Sequence, residues 1–123
     1  MNLHPGIILK STSLLDNSIF EKAVVFITEY NAKGAIGFIV NKPFARKLNE
    51  LQEFSYLRDF PLYNGGPVNQ EHLFFIHRRP DIIEGGVPVY SNIFSGGNFT
   101  QAVTAINNYT LTKSDIKIFV GYC

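Results

Sequence analysis

The chain has 123 residues, 46% of them hydrophobic, and its 11 Lys and Arg nearly balance its 10 Asp and Glu, for a net charge of +1. A chain of this length forms one domain, and its 11 Phe and 6 Tyr supply apolar surface for a core, which excludes disorder over the whole length. The even charge argues against a domain that holds nucleic acid mainly through phosphates, and the single cysteine excludes an intramolecular disulfide framework.

The N-terminal part of the chain predicts three strands. Residues 6–11 form a short strand, and residues 23–30, which are apolar on both faces, are typical of a central strand. A turn over residues 31–34 leads to residues 35–41, which return as the hairpin partner. Gly37 within that strand indicates a bulge or a close approach by another backbone.

The middle of the chain predicts a helix between strands. Residues 47–54 are predicted to be helical because two leucines are spaced for one face. Residues 61–63 form a short strand that leads into the string Asn64-Gly65-Gly66-Pro67. A further strand follows over residues 72–78, and residues 79–86 form a loop.

The C-terminal part predicts an extended segment, a helix and a last strand. Residues 87–94 are extended, and Asn98 is a good N-cap whose pairing with Gln101 resembles a capping box. Three apolar residues at helical spacing follow, and residues 116–122 form the last strand. Because hairpin strands are mixed with two helices, the order fits an α+β fold better than a regularly alternating sheet.

The sequence contains no pattern that is typical of a catalytic or metal-binding site. Nucleophilic catalysis needs a Ser or Cys beside an oriented His, and the sequence contains no Gly-x-Ser-x-Gly turn. Cys123 follows a predicted buried strand, where an inert packing role is typical. His72 and His77 are five residues apart on a strand, so their side chains point to opposite faces. We therefore expect no enzymatic activity, no cofactor and no metal site.

Two glycine-rich strings are the candidate binding positions. The turn Asn64-Gly65-Gly66-Pro67 leaves room for a ligand to approach the backbone, although strand-to-strand geometry alone would also explain its glycines. Gly97 lies at a predicted helix N-terminus, where free N–H groups and the helix dipole favour anions, although an ordinary N-cap would look the same.

The sequence predicts a cytoplasmic protein that does not enter the membrane. No stretch approaches the ~20 apolar residues that a membrane-spanning helix needs. The first residues also lack the basic and apolar regions of a signal peptide.

Five segments of the sequence, taken in their order along the chain, resemble the YqgE/AlgH family of bacterial proteins. The resemblance implies a single domain over residues 1–123, in which a bent, branching sheet forms a pseudo-barrel with two or more flanking helices. Members of the family continue for several tens of residues beyond the equivalent of Cys123. We therefore expect the C-terminal part of the family domain to be missing and the last strand to lie at a sheet edge, which leaves self-association open. The segments that carry the resemblance are residues 34–43, 62–68, 73–78, 95–99 and 119–122.

The first functional hypothesis is a non-enzymatic module that binds a small molecule or a protein at the face of the Gly-Gly-Pro turn. The distinctive residues are turn glycines, prolines and an amide rather than titratable groups, and the family is described as regulating transcription. The predicted contacts are Asn41, Lys42, Tyr63, Gly65, Gly66 and Pro67, with Arg78 and Gly97 as further candidates.

Two alternatives stay open. One is direct nucleic-acid binding, in which two short basic pairs contact phosphates. The other is an enzyme that acts on a phosphorylated small molecule held at the helix N-terminus near Gly97. The basic residues of the first alternative are Arg46, Lys47, Arg78 and Arg79.

Overall fold

The computed structural model describes residues 4–10 and 23–123, which begin with an antiparallel three-stranded sheet. Its strands are β1 (Ile8–Lys10), β2 (Val24–Asn31) and β3 (Gly34–Ile39), in the order β1-β2-β3. The predicted hairpin is confirmed, although its second strand ends before Asn41.

A five-stranded mixed sheet follows, in the order β4-β8-β5-β7-β6. Its β4 and β8 run parallel, whereas the other neighbours are antiparallel. The last strand, β8, lies between β4 and β5, so the expectation that it forms an edge is wrong. The strands are β4 (Tyr63–Asn64), β5 (Val68–His77), β6 (Val87–Tyr90), β7 (Ile93–Ser95) and β8 (Ile116–Tyr122).

The prediction of a helix over residues 47–54 is wrong. Two 3-10 turns, Leu48–Glu50 and Gln52–Phe54, stand there instead, because Leu51 between them is extended, with φ −81° and ψ 133°. The described residues therefore contain one α-helix, α1 (Phe99–Asn107), rather than two or more. They form no closed barrel, so the mixed α+β class is confirmed and the pseudo-barrel stays an expectation.

Two strand boundaries also differ from prediction. β5 begins at Val68, four residues before the predicted strand over 72–78. The segment predicted as extended over 87–94 is a tight hairpin of β6 and β7, in which Ser91 adopts a positive φ of 52°.

Both faces of the second sheet are covered, which gives the molecule three layers. Residues opposite each other in an antiparallel pair share a face, so Phe74 and Phe119 lie on one face, and Phe75 and Ile118 on the other. The first of these faces turns towards the first sheet, where the Phe38 ring stacks on Phe119 with 4.5 Å between ring centroids. The other packs against α1 and the 3-10 turns. The buried core on that side comprises Leu48, Leu57, Phe60, Leu62, Phe75, Ile83, Ala102, Val103, Ala105, Ile106, Leu111, Ile116, Ile118 and Val120.

Backbone hydrogen bonds join the two sheets at one corner. Gly37 N donates to Cys123 O and Cys123 N donates to Gly37 O, each at 2.9 Å. Ile39 N donates to Gly65 O, and Gly65 N donates to Val120 O, again at 2.9 Å. The predicted close approach of another backbone at Gly37 is thereby confirmed, and its partner is the residue that follows β8.

Candidate functional site

The glycines of the Gly-Gly-Pro turn are buried where the two sheets meet. A methyl group on Gly65 would overlap the carbonyl oxygen of Gly121, and one on Gly66 would overlap that of Tyr122. The backbone at the end of β8 thus fills the space that the sequence left open for a ligand. Strand packing accounts for both glycines, whereas Pro67 stays exposed.

Three further predicted site residues lie together beside this corner. The Asn41 Oδ1 atom accepts a 2.8 Å hydrogen bond from Val24 N, so this side chain ties the end of the hairpin. The Lys42 carbonyl accepts a 2.7 Å bond from Asn64 N. The Tyr63 ring lies 4.4 Å from the Nζ atom of Lys117.

Gly97 lies apart from these residues, at the beginning of α1. A side chain there would overlap the carbonyl oxygen of Glu84, which accepts a 2.8 Å hydrogen bond from Asn98 N. The Asn98 side chain caps the helix by accepting from Gln101 N at 2.9 Å, as predicted. The second hydrogen bond of the predicted capping box is wrong, because Gln101 Oε1 accepts from Glu84 N at 2.8 Å and not from the Asn98 backbone. The loop around Glu84 is therefore hydrogen-bonded to this helix end, where Gly97 and Asn98 stay exposed.

Between the two sheets lies a groove of about 450 Å³, which we call the inter-sheet groove. Its volume falls in the range of about 300 to 1,000 Å³ that small-molecule pockets occupy. Arg78 is the only predicted binding residue among its lining residues. The lining consists of Ile8, Phe26, Val40, Ile76, His77, Arg78, Ile93, Lys113, Ser114, Asp115, Ile116 and Lys117.

The groove continues the aromatic packing between the sheets. The Phe38 ring contacts both Phe119 and Phe74, at 4.5 and 5.8 Å between centroids, and this end of the interlayer space is closed. Further along the same face, Ile76 lies opposite Lys117. Lys117 is therefore a charged residue at a position that faces the other sheet.

Lys117 is half-buried, and its surroundings are only partly polar. Its Nζ atom donates to Val40 O at 3.1 Å and lies over the Tyr63 ring. Among residues 4–10 and 23–123, no carboxylate lies within ion-pairing distance of it. Burial lowers the pKa of this ammonium group below its usual value.

The remaining charges of the groove leave it positive. Neither Arg78 nor Lys113 forms an ion pair with any acidic side chain of the described ranges. The Asp115 Oδ2 atom accepts hydrogen bonds from Thr112 N at 2.9 Å and from the Thr112 hydroxyl at 3.0 Å. Three cations thus face one carboxylate that is held by its own turn.

His77 is buried, and the backbone engages both of its ring nitrogens. Nδ1 accepts from Arg79 N at 3.1 Å, so the proton is on Nε2, which donates to Gly96 O at 3.1 Å. Burial lowers its pKa, which keeps the ring neutral. His72, by contrast, is exposed. The part of the chain that the structure describes holds no group of three or more His, Cys, Asp or Glu able to bind a metal ion.

Cys123 is partly buried beside the sheet corner. Its thiol donates to the Gly37 carbonyl at 3.5 Å. Burial raises the pKa of the thiol, which favours the protonated and less nucleophilic form.

The two basic pairs do not form a common surface. Lys47 pairs with Asp59 at 3.2 Å, and Arg79 pairs with Asp81 at 2.9 Å. Arg46 and Arg78 line different cavities. A phosphate-binding stripe built from these four residues therefore finds no geometric support.

Comparison with known proteins identifies a family. The model of the AlgH-like family matches residues 7–123. A UPF0301 protein of Chlorobaculum tepidum is 38% identical over 122 residues, and one of Chlorobium limicola is 35% identical over 121. Each alignment covers 98% of this chain and 64% of the relative, so the chain spans about 64% of the length of these relatives.

Two solved structures share the fold. Protein DIP2367 of Corynebacterium diphtheriae superposes with a TM-score of 0.77 at 15% identity, covering 100% of this chain and 66% of that one. The AlgH protein of Pseudomonas aeruginosa gives 0.66 at 20% identity, with 94% and 64% covered. No helix in the described ranges is long and apolar enough to cross a membrane.

Proposed function

We propose, from the premise that this chain belongs to the AlgH-like family, that it is a non-enzymatic binding module whose small-molecule ligand lies in the inter-sheet groove. The observation that carries this proposal is the groove itself, with its volume of about 450 Å³ and its walls of isoleucine, phenylalanine and valine. A concave, mostly apolar space with a few polar groups is the usual form of a ligand site.

The groove is a better ligand site than the face of the Gly-Gly-Pro turn. β8 covers both glycines of that turn, so little backbone is open to a partner there. Of the other predicted residues, Tyr63 contacts Lys117 of the groove, and Asn41 and Lys42 directly follow the lining residue Val40 in the sequence.

The non-enzymatic part of the proposal rests on the polar groups of the groove. His77 has both ring nitrogens engaged, and the Asp115 carboxylate is bonded to Thr112. Acid–base catalysis needs a titratable group that can reach its substrate. The described groove residues offer no nucleophile paired with an unoccupied base.

We further propose that any role in transcription is indirect and passes through the bound ligand or a protein partner. This follows from the separation of the basic residues, of which Lys47 and Arg79 are engaged by carboxylates. The proposal includes a cytoplasmic location, which the single cysteine of the sequence fits.

A neutral fluorescent probe tests whether the groove binds a ligand, independently of the charge of that ligand. We expect N-phenyl-1-naphthylamine to bind the 123-residue chain with increased fluorescence. Ile93→Trp places an indole in the groove and should weaken binding of the probe about tenfold or more. Tyr30→Trp, on an exposed part of β2 outside the groove lining, is the matched control and should bind the probe as the unaltered protein does.

Circular dichroism and urea unfolding establish that both variants are folded. The proposal fails if the folded protein does not enhance the fluorescence of the probe. It also fails if a folded Ile93→Trp variant binds the probe as tightly as the unaltered chain.

A further inference from the structure

We infer that the ligand of the inter-sheet groove is a small amphipathic anion, with its carboxylate headgroup on Lys117 and its hydrocarbon part between the two sheets. This inference rests on the proposed function and adds the chemical class of the ligand. Its evidence is the position, the surroundings and the bonding of the Lys117 ammonium group.

The position of Lys117 is unusual for a lysine. In β8 the residues that alternate with it, Ile116 and Ile118, point into the buried core on the α1 side. Lys117 itself is on the face that carries Phe119, opposite Ile76 and towards the first sheet. An apolar side chain would satisfy the packing pattern at this position, so packing alone does not explain a lysine there.

The described part of the protein offers the Lys117 ammonium group a single hydrogen-bond acceptor. An ammonium group has three donors, and the described residues provide one acceptor, the Val40 carbonyl at 3.1 Å. The Tyr63 ring at 4.4 Å adds a favourable contact with its face but no counter-charge. Removing a charge from water costs free energy unless the charge is paired, and the depressed pKa of Lys117 reflects that cost. An anion in the groove would supply a counter-charge.

The charges around Lys117 also favour a negatively charged ligand. Arg78 and Lys113 also line the groove, and Asp115 is the only acidic residue among the lining side chains. The Asp115 carboxylate accepts two hydrogen bonds from Thr112 and forms no ion pair with Lys117. A cation would be repelled by three positive groups, whereas a carboxylate would be attracted.

The apolar walls require that the ligand be more than an inorganic anion. Ile8, Phe26 and Val40 approach from the first sheet, and Ile76 and Ile93 approach from the second. Burying a hydrocarbon chain between these walls stabilises a complex by roughly 25 cal/mol per Å² of apolar area. Phosphate or acetate alone would leave these walls in water.

Three ten-carbon molecules that differ in their headgroup test the inference. Decanoate, decanol and decylammonium are titrated into the ¹⁵N-labelled 123-residue chain at neutral pH, and backbone amide shifts report both affinity and location. We expect decanoate to bind at least about tenfold more tightly than decanol, which corresponds to 1.4 kcal/mol, and decylammonium to bind most weakly. The shifts should be largest at groove residues such as Ile93 and Lys113.

Two lysine variants assign the headgroup. Lys117→Met should lower the affinity for decanoate to that for decanol and leave decanol binding unchanged. Lys33→Met removes the same charge from the exposed β2–β3 turn and should change neither.

Equal affinities for decanoate and decanol in the groove would overturn the anionic class while leaving the proposed function intact. An unchanged decanoate affinity in Lys117→Met would overturn the assignment of the headgroup. Absence of any groove shift with all three molecules would overturn the inference, and the neutral-probe experiment then decides separately whether the groove binds ligands at all.

Discussion

Arg58 and Lys117 are both half-buried cations without a carboxylate partner in the described part of the chain, and they differ in the protein groups that surround them. The Arg58 guanidinium donates through Nε to the Ile106 carbonyl and through Nη2 to the Leu111 carbonyl, the latter at 3.2 Å. Its carbon lies 5.5 Å from the Phe60 ring centroid and 4.4 Å from that of Tyr109. This environment closes the C-terminal end of α1.

The Lys117 ammonium group contacts one carbonyl and one aromatic ring, whereas the Arg58 guanidinium contacts two of each. The remaining side of Lys117 opens onto the groove. Arg58 bonds two carbonyls at the C-terminal end of α1, where a cation stabilises the helix, which explains it as a structural residue. A cation left with unused donors beside an apolar cavity is better explained by a ligand.

The largest effect should come from Arg58→Met. This change removes the side-chain donor of the Ile106 and Leu111 carbonyls, of which Ile106 keeps a backbone bond from Tyr109 N, and it removes two ring contacts. We therefore expect a loss of about 2 kcal/mol in the free energy of unfolding. Urea unfolding followed by circular dichroism measures it. A loss below about 0.5 kcal/mol would mean that the Arg58 environment is not structural.

A small effect on stability should come from the same change at the other cation. Lys117→Met removes a half-buried ammonium group that lacks a counter-charge and keeps most of the side-chain volume. We expect the free energy of unfolding to stay within about 1 kcal/mol of the unaltered protein. A destabilisation as large as that of Arg58→Met would make Lys117 structural as well and would remove the contrast between the two cations.

The smallest effect should be a dependence on pH. Because burial lowers the pKa of Lys117 in the folded state, the unfolded chain holds more protons between the folded and unfolded pKa values. Stability relative to Lys117→Met should therefore rise with pH in that alkaline interval, up to about 10.4, the usual pKa of lysine. Thermal unfolding at several pH values measures this difference, and a fall over the same interval would contradict the assigned direction of the shift.

Local patterns explain which parts of the fold the sequence predicts. The hairpin, the N-cap at Asn98 and the last strand follow from turn residues and alternation, which act over a few residues. The segment 47–54 was mispredicted as a helix because its leucine spacing is helical. In the structure, Leu48 N bonds to Phe60 O and Leu51 is extended, and neither feature is visible in the spacing of apolar residues.

The candidate site was harder to predict because its parts are distant in the sequence. Val40 and Lys117 are 77 residues apart, and only the packing of one sheet on the other brings them together. The glycines at 65 and 66 looked like ligand positions, although β8 covers them. The one signal that could have indicated the groove is Lys117 itself, a charged residue within the apolar strand Ile116–Tyr122.

The most direct measurement is the pKa of the Lys117 ammonium group, determined by NMR titration of its side chain with and without decanoate. We predict a pKa of Lys117 below the usual value of lysine in the free protein, and a rise when decanoate binds, because the carboxylate stabilises the charged form. A pKa of Lys117 that decanoate does not change, under conditions where decanoate shifts the groove amides, would contradict the assignment of this lysine to the ligand.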